Sequence, residues 1–210
     1  MATYVLIHGA GDGGWYWHLV DAELRERGHD VVAPDLPADD EASGLPAYAD
    51  VVLDAIGHRT ELVVVAQSFG GFTAPLVSDR VATELLVLFV FVAGMIPSPG
   101  EPPDDWWGNT GYEREGREQD DDVIATFYHD VPPELASEAQ RRERAHPSAR
   151  AMREPWPLEA WPDVPTRFLL CRDDRFFPPG FLRRIARERL GITPDEIDGG
   201  HCVALSRPSE

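Results

Sequence analysis

The feature that most constrains the fold is an unbroken apolar stretch at residues 85–92, near the middle of the chain. It consists only of leucine, valine and phenylalanine, which predicts a strand buried on both faces. Such strands are typical of parallel sheets that have helices packed on either side. The stretch therefore predicts an α/β fold.

Strand-like and helix-like segments alternate on both sides of this stretch. Apolar runs predict strands, and apolar residues at helical spacing predict helices. The further strands are expected at residues 4–7, 31–34, 62–65, 166–171 and 194–197, and the main helices at 15–27, 45–56, 72–77 and 180–190. This alternation predicts a doubly wound, mostly parallel sheet, and a chain of 210 residues suits a single domain, 1–210.

The alternation stops between about residues 96 and 165, a segment rich in proline, acidic residues and aromatic residues. Short helices are predicted at 122–127 and 133–143. So many aromatic side chains in a polar segment indicate a helical lid that folds back over a pocket. Trp107, Phe127 and His129 are the lid residues expected at that pocket. The alternative is that the aromatic residues only anchor a loop to the body of the protein.

Ser68 lies between a predicted strand and glycines that precede a helix. A serine at so sharp a strand-to-helix turn needs very small residues two positions before and after it, because the backbone is strained there. Ala66 and Gly70 meet this need, although glycine is usual at the first position. The turn predicts a nucleophile, and the alternative is a polar residue in an ordinary strand-to-helix turn.

A serine nucleophile needs a base, and an acid that orients the base. His201 follows the last predicted strand, and Asp173 and Asp174 follow the strand at 166–171. Serine, acid and base then occur in the order expected of a hydrolase with this sheet topology. Of the other histidines, His8 is expected to support the first loop. No partner is evident for His18, His29, His58 and His146.

The first predicted strand is followed by four glycines within residues 9–14. The loop lacks the Lys-Ser/Thr of a phosphate-binding loop, but it fits G-x-G-x-x-G. Asp35 would then be the acidic residue that binds a ribose, and the chain an NAD(P)-dependent oxidoreductase. Prolines on both sides of Asp35 favour a rigid loop instead.

Acidic residues outnumber basic residues by 37 to 19, which gives a formal net charge of −18. This charge argues against nucleic acid or an anionic membrane as a partner. No apolar run approaches the roughly 20 residues that span a bilayer. The first strand follows the N-terminus without a basic leader, so we expect a cytoplasmic protein.

Cys171 and Cys202 are too few for a disulfide framework and lack zinc-site spacing, so we expect both to be reduced and structural. The acidic pairs and triplets at 104–105 and 120–122 lack the alternating spacing and the glycine of a calcium loop. We expect them to be solvated loop residues and predict no metal site.

Taken together, these motifs resemble the α/β-hydrolase superfamily and, within it, the plant methylesterase and hydroxynitrile lyase family. The similar stretches are the first loop, the serine turn, a lid motif and the histidine loop with its continuation, at residues 8–17, 66–71, 127–134 and 199–208. The resemblance covers nearly the whole chain.

The resemblance implies that Ser68 is the nucleophile and His201 its base. It implies Asp174 as the orienting acid, because the family's catalytic acid precedes a proline by four residues. The backbone N–H groups of Ala10 and Phe69 would form the oxyanion hole. The family needs no cofactor for this chemistry.

Two positions depart from the pattern of the lyases in the resembled family. In those lyases a threonine follows the first-loop histidine, and a lysine follows the catalytic histidine. Gly9 and Cys202 occupy these positions here. Without the lysine cation, ester hydrolysis is favoured over cyanide elimination. We expect a serine hydrolase that cleaves a small, apolar or aromatic carboxylic ester or lactone through an acyl-enzyme. A non-catalytic protein that binds a small ligand and, after it, a hydroxynitrile lyase are the alternatives.

Family members also end in a helix that packs on the sheet, and no such segment precedes Glu210. The expected fold is therefore an α/β-hydrolase fold with a shortened C-terminus. Either the sheet tolerates the shortening, or a partner covers the exposed face, as in a homodimer.

Overall fold

The computed structural model describes residues 1–82, 85–112 and 122–210. Its strands are β1 (Thr3–Ile7), β2 (Asp30–Val32), β3 (Leu62–Gln67), β4 (Leu86–Val92), β5 (Thr166–Cys171) and β6 (Asp195–Ile197). They form a six-stranded sheet in the order β2-β1-β3-β4-β5-β6, and all neighbouring strands are parallel. The predicted doubly wound sheet is confirmed.

The helices that connect β1 to β4 and β5 to β6 agree with the sequence pattern. In chain order the α-helices are α1 (His18–Glu26), α2 (Leu45–Ile56), α3 (Ala74–Ser78), α4 (Pro103–Thr110), α5 (Val123–Phe127), α6 (Pro133–Arg141), α7 (Ala149–Arg153), α8 (Pro179–Leu190) and α9 (Val203–Ser206). A 3₁₀ turn at Gly14–Trp17 precedes α1, and another at Ser68–Phe72 precedes α3. The two predicted helices at these places therefore each begin as a tighter turn.

Strand β4 is less completely buried than its sequence predicts. Val87 is 50% exposed, because the pairing of β3 with β4 shifts register there. Leu62 lies opposite Leu86 while Val63 lies opposite Leu88, so Val87 is the extra residue of a β-bulge. Strand β5 pairs with β4 only from Phe89 onward, which leaves the bulged end uncovered on that side.

Helices α4 to α7 lie between β4 and β5 in the chain, and we call residues 93–165 the insert. The sequence predicts α5 and α6 but not α4 and α7. Helix α4 begins with a proline and has two aspartates in its first turn, which are helix-start signals hidden by the proline-rich surroundings.

Two buried tryptophans fasten the insert to the rest of the protein. The ring of Trp106 packs against the rings of Phe177 and Phe181, outside the insert, while its indole N–H donates to the carbonyl of Ile96 within the insert, at 2.9 Å. The indole N–H of Trp156 donates to the carbonyl of Phe72, at 3.0 Å. Both side chains are buried. For these two residues, anchoring is the role that the structure supports.

The C-terminal part of the chain packs through the short helix α9, whose residues Val203, Ala204 and Leu205 are buried. Helix α9 lies against α1 and against the 3₁₀ turn that precedes it. Across the described ranges, no helix combines the length and the apolar character that crossing a membrane requires.

Candidate active site

The backbone at Ser68 adopts a conformation that non-glycine residues rarely take. Its φ angle is 48°, directly after β3 and at the start of the 3₁₀ turn. The chain can bend this sharply because Gly70 has no side chain: a Cβ there would lie 2.8 Å from the carbonyl oxygen of His8 and 2.9 Å from that of Ile7. Ala66 pairs with Ile7 and with Phe91 and is fully buried, so its methyl group fits within the core.

His201 and Asp174 form a buried hydrogen-bonded pair. Nδ1 of His201 lies 2.9 Å from Oδ2 of Asp174. The other carboxylate oxygen, Oδ1, accepts hydrogen bonds of 2.8 Å from the backbone N–H groups of Phe176 and Phe177. A carboxylate fixed in this way holds the proton on Nδ1 and leaves Nε2 free to accept one.

Asp173 has a different partner from its neighbour. Its Oδ2 accepts a hydrogen bond of 3.1 Å from the backbone N–H of Gly199. It therefore supports the loop that carries His201, whereas Asp174 contacts the imidazole itself. This separates the two candidate acids that the sequence left open.

A cavity of about 480 Å³ opens beside these groups. Ser68, His201, Ala10 and Phe69 all line it, so the predicted nucleophile, base and oxyanion residues meet at one place. Most of the remaining wall is apolar and comes from Met95, Trp107, Val123, Phe127, Met152 and Phe176. A cavity of this size and character is typical of small-molecule sites.

Two of the three predicted pocket residues, Trp107 and Phe127, line this cavity. The third, His129, does not, and this prediction is corrected. Its ring Nε2 lies 3.0 Å from the backbone carbonyl of Asp173, and this contact holds the ring toward the loop after β5.

The insert also holds the histidine loop from outside. Oδ2 of Asp130 accepts a hydrogen bond of 2.8 Å from the backbone N–H of Gly200, the residue before His201. From inside, the Gln67 side chain donates to the carbonyl of His201, at 3.3 Å. His201 is thus positioned through its side chain and through the backbone on both sides of the loop.

Several polar residues line the cavity although the sequence did not assign them to a pocket, among them Asp12, Glu143 and His146. Glu143 and His146 are both well exposed, and Nε2 of His146 lies 3.7 Å from Oε1 of Glu143. The position of Asp12 at the cavity could have been predicted, since it lies in the same loop as Ala10, a predicted oxyanion-hole residue. No local signal identifies the other two, because their position depends on how the insert folds back.

Asp12 titrates unlike an ordinary aspartate. Burial, together with the charge of Glu143 and against the attraction of His201, raises its pKa to about 7. Burial likewise raises the pKa of the Cys202 thiol, which lines the same cavity and stays protonated. Cys171 and Cys202 are both free and buried, as predicted.

His8 and Asp35 both maintain the first loop. His8 Nδ1 lies 2.7 Å from the carbonyl of Gly9, and its Nε2 accepts a hydrogen bond of 3.1 Å from the N–H of Leu36. Burial lowers the pKa of His8, which keeps the imidazole neutral. The prediction that His8 supports this loop is confirmed.

Asp35 accepts a hydrogen bond of 2.7 Å from the backbone N–H of Gly14, and it pairs with Arg144, also at 2.7 Å. Both of its oxygens are engaged in holding the first loop. The role of a ribose-binding acid, considered from the glycine pattern, is therefore not supported.

Within the described ranges, no group of three or more His, Cys, Asp or Glu side chains is arranged to hold a metal ion. Asp120 and Asp121 of the predicted acidic cluster lie outside the described residues. Asp122 caps α5, where its side chain accepts from the backbone N–H groups of Ile124 and Ala125.

Comparison with known proteins extends over the whole chain. The model of the alpha/beta hydrolase family matches residues 4–210. Norfluorocurarine synthase 1 from Strychnos sp is 25% identical over 99% of this chain and 91% of that protein. Methylesterase 3 from Arabidopsis thaliana is 25% identical over 98% of this chain and 91% of that protein.

Among solved structures, polyneuridine aldehyde esterase superposes with a TM-score of 0.83 at 20% identity, covering 99% of this chain and 95% of that one. At this identity the superposition establishes the fold. The family resemblance drawn from the sequence motifs is confirmed by these matches.

Proposed function

This chain belongs to the alpha/beta hydrolase family, and on that basis we propose that it is a serine esterase. The substrates would be small carboxylic esters or lactones with apolar or aromatic groups, and no cofactor takes part. The observation that carries the proposal is the buried His201–Asp174 pair beside Ser68 in one cavity. Methylesterase 3 and polyneuridine aldehyde esterase, two of the similar proteins, have names that describe ester cleavage.

In the first half of the reaction, Nε2 of His201 takes the proton of the Ser68 hydroxyl while its oxygen attacks the ester carbonyl. The tetrahedral intermediate collapses as the bond from the carbonyl carbon to the alcohol oxygen breaks. His201 gives its proton to that oxygen, so the alcohol leaves neutral. The acyl group remains on Ser68 as an ester.

In the second half, His201 takes a proton from water and the resulting hydroxide attacks the acyl-enzyme. The bond to Ser68 breaks, the proton returns to the serine oxygen, and the carboxylic acid leaves. Asp174 stays ionised throughout and stabilises the imidazolium that forms twice in the cycle. Its two backbone donors and its burial support this role.

The negative charge on the carbonyl oxygen would be stabilised by the backbone N–H groups of Ala10 and Phe69. Both residues line the cavity, and Phe69 lies in the first turn of a 3₁₀ helix. N–H groups in that turn have no acceptor within their own helix and are available to a ligand. Close packing supports this arrangement: a Cβ at Gly9 would lie 3.1 Å from the Cβ of Ser68.

The insert acts as a lid of a single domain in this proposal, since Trp107 and Phe127 form the apolar wall that faces the reacting groups. Hydrolysis is favoured over cyanide elimination by Cys202, which stands where lyases of the resembled family carry a lysine. Burial keeps this thiol neutral, so it supplies no cation for a leaving cyanide.

The test is the turnover of p-nitrophenyl acetate by the unmodified protein and by Ser68→Ala. We expect a loss on the order of 10⁴-fold in kcat, because removal of a triad member typically costs this much. Ser137→Ala, an exposed serine on α6, is the matched control and should keep full activity. A loss of less than roughly 100-fold in Ser68→Ala would contradict the nucleophile assignment.

A further inference from the structure

Two carboxylates line the same cavity as Ser68 and His201. Asp12 comes from the first loop, after β1, and Glu143 comes from the insert, after α6. Among the described residues that line the cavity, none is an arginine or a lysine. The two acidic groups therefore face an otherwise mostly apolar space without a compensating permanent cation.

The charge of Asp12 is not neutralised elsewhere. Within the described part of the chain, neither a hydrogen bond nor an ion pair reaches its carboxylate, and His201 and Glu143 act on it only through space. Among the described residues, the carboxylate of Glu143 has one contact, a distance of 3.7 Å to the exposed ring of His146.

The arginines next to Glu143 in the chain are occupied by other groups. Arg144 pairs with Asp35 at 2.7 Å. Arg142 pairs with Glu138 at 2.6 Å and lies over the ring of Trp15. Neither supplies the missing positive charge to the cavity.

A partly buried carboxylate without hydrogen-bond donors is costly to keep ionised. An ionised Asp12 would also oppose the negative charge that develops on the substrate carbonyl nearby. A cation within the substrate would relieve both costs at once. The rings of Trp107, Phe127 and Phe176 add surfaces that attract a cationic group.

We propose that Asp12 and Glu143 select esters that carry an ammonium group. Asp12 faces this group near the reacting carbonyl, and Glu143 attracts it at the cavity mouth. This assignment rests on the proposed esterase function and narrows its substrate class to cationic esters with an apolar remainder.

The test compares two esters of the same shape, acetylcholine and its uncharged carbon isostere, 3,3-dimethylbutyl acetate. At pH 8 and high salt, we expect kcat/KM to favour the cationic ester about tenfold or more, since salt screens the acidic surface more than the cavity. Asp12→Asn and Glu143→Gln should each reduce this ratio, and together bring it near one. Glu26→Gln, which removes one exposed charge from α1, should leave the ratio unchanged.

An equal rate for the two esters in the unmodified protein would overturn the proposal. A ratio of the two kcat/KM values that is unchanged in Asp12→Asn would also overturn it. An equal reduction of this ratio in Glu26→Gln would overturn it too, because the preference would then come from the overall charge of the protein. Failure to hydrolyse any ester, including p-nitrophenyl acetate, would instead refute the esterase function. The two failures are thereby distinguished.

Competition provides a second measurement that does not depend on the folding of Asp12→Asn. Choline should inhibit p-nitrophenyl acetate hydrolysis about tenfold more strongly than 3,3-dimethylbutan-1-ol, its uncharged isostere. Glu143→Gln, at an exposed position, should narrow this difference. Equal inhibition of the unmodified protein by the two compounds would overturn the proposal.

Discussion

The loop after β5 and the loop after β1 each bring a carboxylate close to His201, and the two loops treat the charge in opposite ways. Asp174 accepts hydrogen bonds from two backbone N–H groups and from the imidazole. Asp12 lines the same cavity as His201, which acts on it through space, yet the described residues give it no hydrogen-bond donor, and burial raises its pKa to about 7.

The difference shows that burial alone does not decide what a carboxylate can do. Donors in fixed positions hold the Asp174 carboxylate in contact with the imidazole of His201. Without donors, Asp12 carries a charge that is costly at neutral pH and that a ligand can stabilise. The carboxylate of the first loop is therefore available for recognition of a ligand, whereas that of Asp174, after β5, is already bound by His201 and by two backbone N–H groups.

The largest expected effect is the difference in ester hydrolysis rate between variants that neutralise Asp174 and Asp12. Asp174→Asn should lower kcat for p-nitrophenyl acetate by roughly 1,000-fold or more, because the imidazole loses the acceptor that fixes its proton. Asp12→Asn should change this rate by less than about tenfold, because the ester carries no cation. Steady-state kinetics of both variants measure this difference. Similar losses of kcat in the two variants would refute the claim that only Asp174 is needed to hydrolyse an uncharged ester.

A smaller effect is expected from the support of the histidine loop. Asp130→Ala removes the acceptor of the Gly200 N–H and should lower kcat by about 10- to 100-fold with little change in KM, since His201 is then less well positioned. Asp130→Asn keeps an acceptor oxygen and should restore most of the loss. A change in KM alone, or no rescue by asparagine, would contradict a positioning role.

The smallest effect concerns stability and its dependence on pH. The carboxyl of Asp12 ionises near 3.8 in its ordinary state and near 7 in the folded protein. The folded state is therefore progressively destabilised as pH rises from about 4 to 7, and the penalty is complete above 7. The charged groups that act on this carboxyl are His201, which lowers its pKa, and Glu143, which raises it. The charge of Asp12 in turn raises the pKa of Tyr128, Cys202 and Tyr16.

We expect Asp12→Asn to raise the free energy of unfolding at pH 8 by on the order of 1–2 kcal/mol, and by much less at pH 4.5. Urea denaturation at the two pH values measures the difference. A stabilisation that is equal at both would mean that the charge of Asp12 is not the cause.

The sequence predicts the positions of Ser68, of the pair Asp173 and Asp174, and of His201 because each follows a predicted strand, and the family resemblance then favours Asp174 over Asp173. Carboxyl ends of parallel strands meet at one edge of the sheet, so side chains distant in the chain are brought together by topology alone. The strained turn is predictable for a similar reason, since the small residues around Ser68 are a local requirement.

Other features depend on contacts that no local pattern encodes. His129 is expected at the pocket from the sequence, but the fold of the insert places it against the Asp173 carbonyl. His146, for which the sequence makes no partner evident, lines the cavity instead. The bulge at Val87 depends on the register between β3 and β4, which the uniform apolar run leaves undefined. Asp35 fits a ribose-binding pattern, but its position beside Arg144 is determined by the insert.

The reactivity of Ser68 is tested by covalent labelling with a fluorophosphonate, followed by measurement of the intact mass and of the labelled peptide. An activated serine attacks the phosphorus and displaces fluoride, so the protein should gain one phosphonyl group, located on Ser68. Asp174→Asn should label far more slowly, and Ser68→Ala should not label at all. A folded protein that remains unlabelled, or that carries the group on another residue, would contradict the proposal that Ser68 is an activated nucleophile.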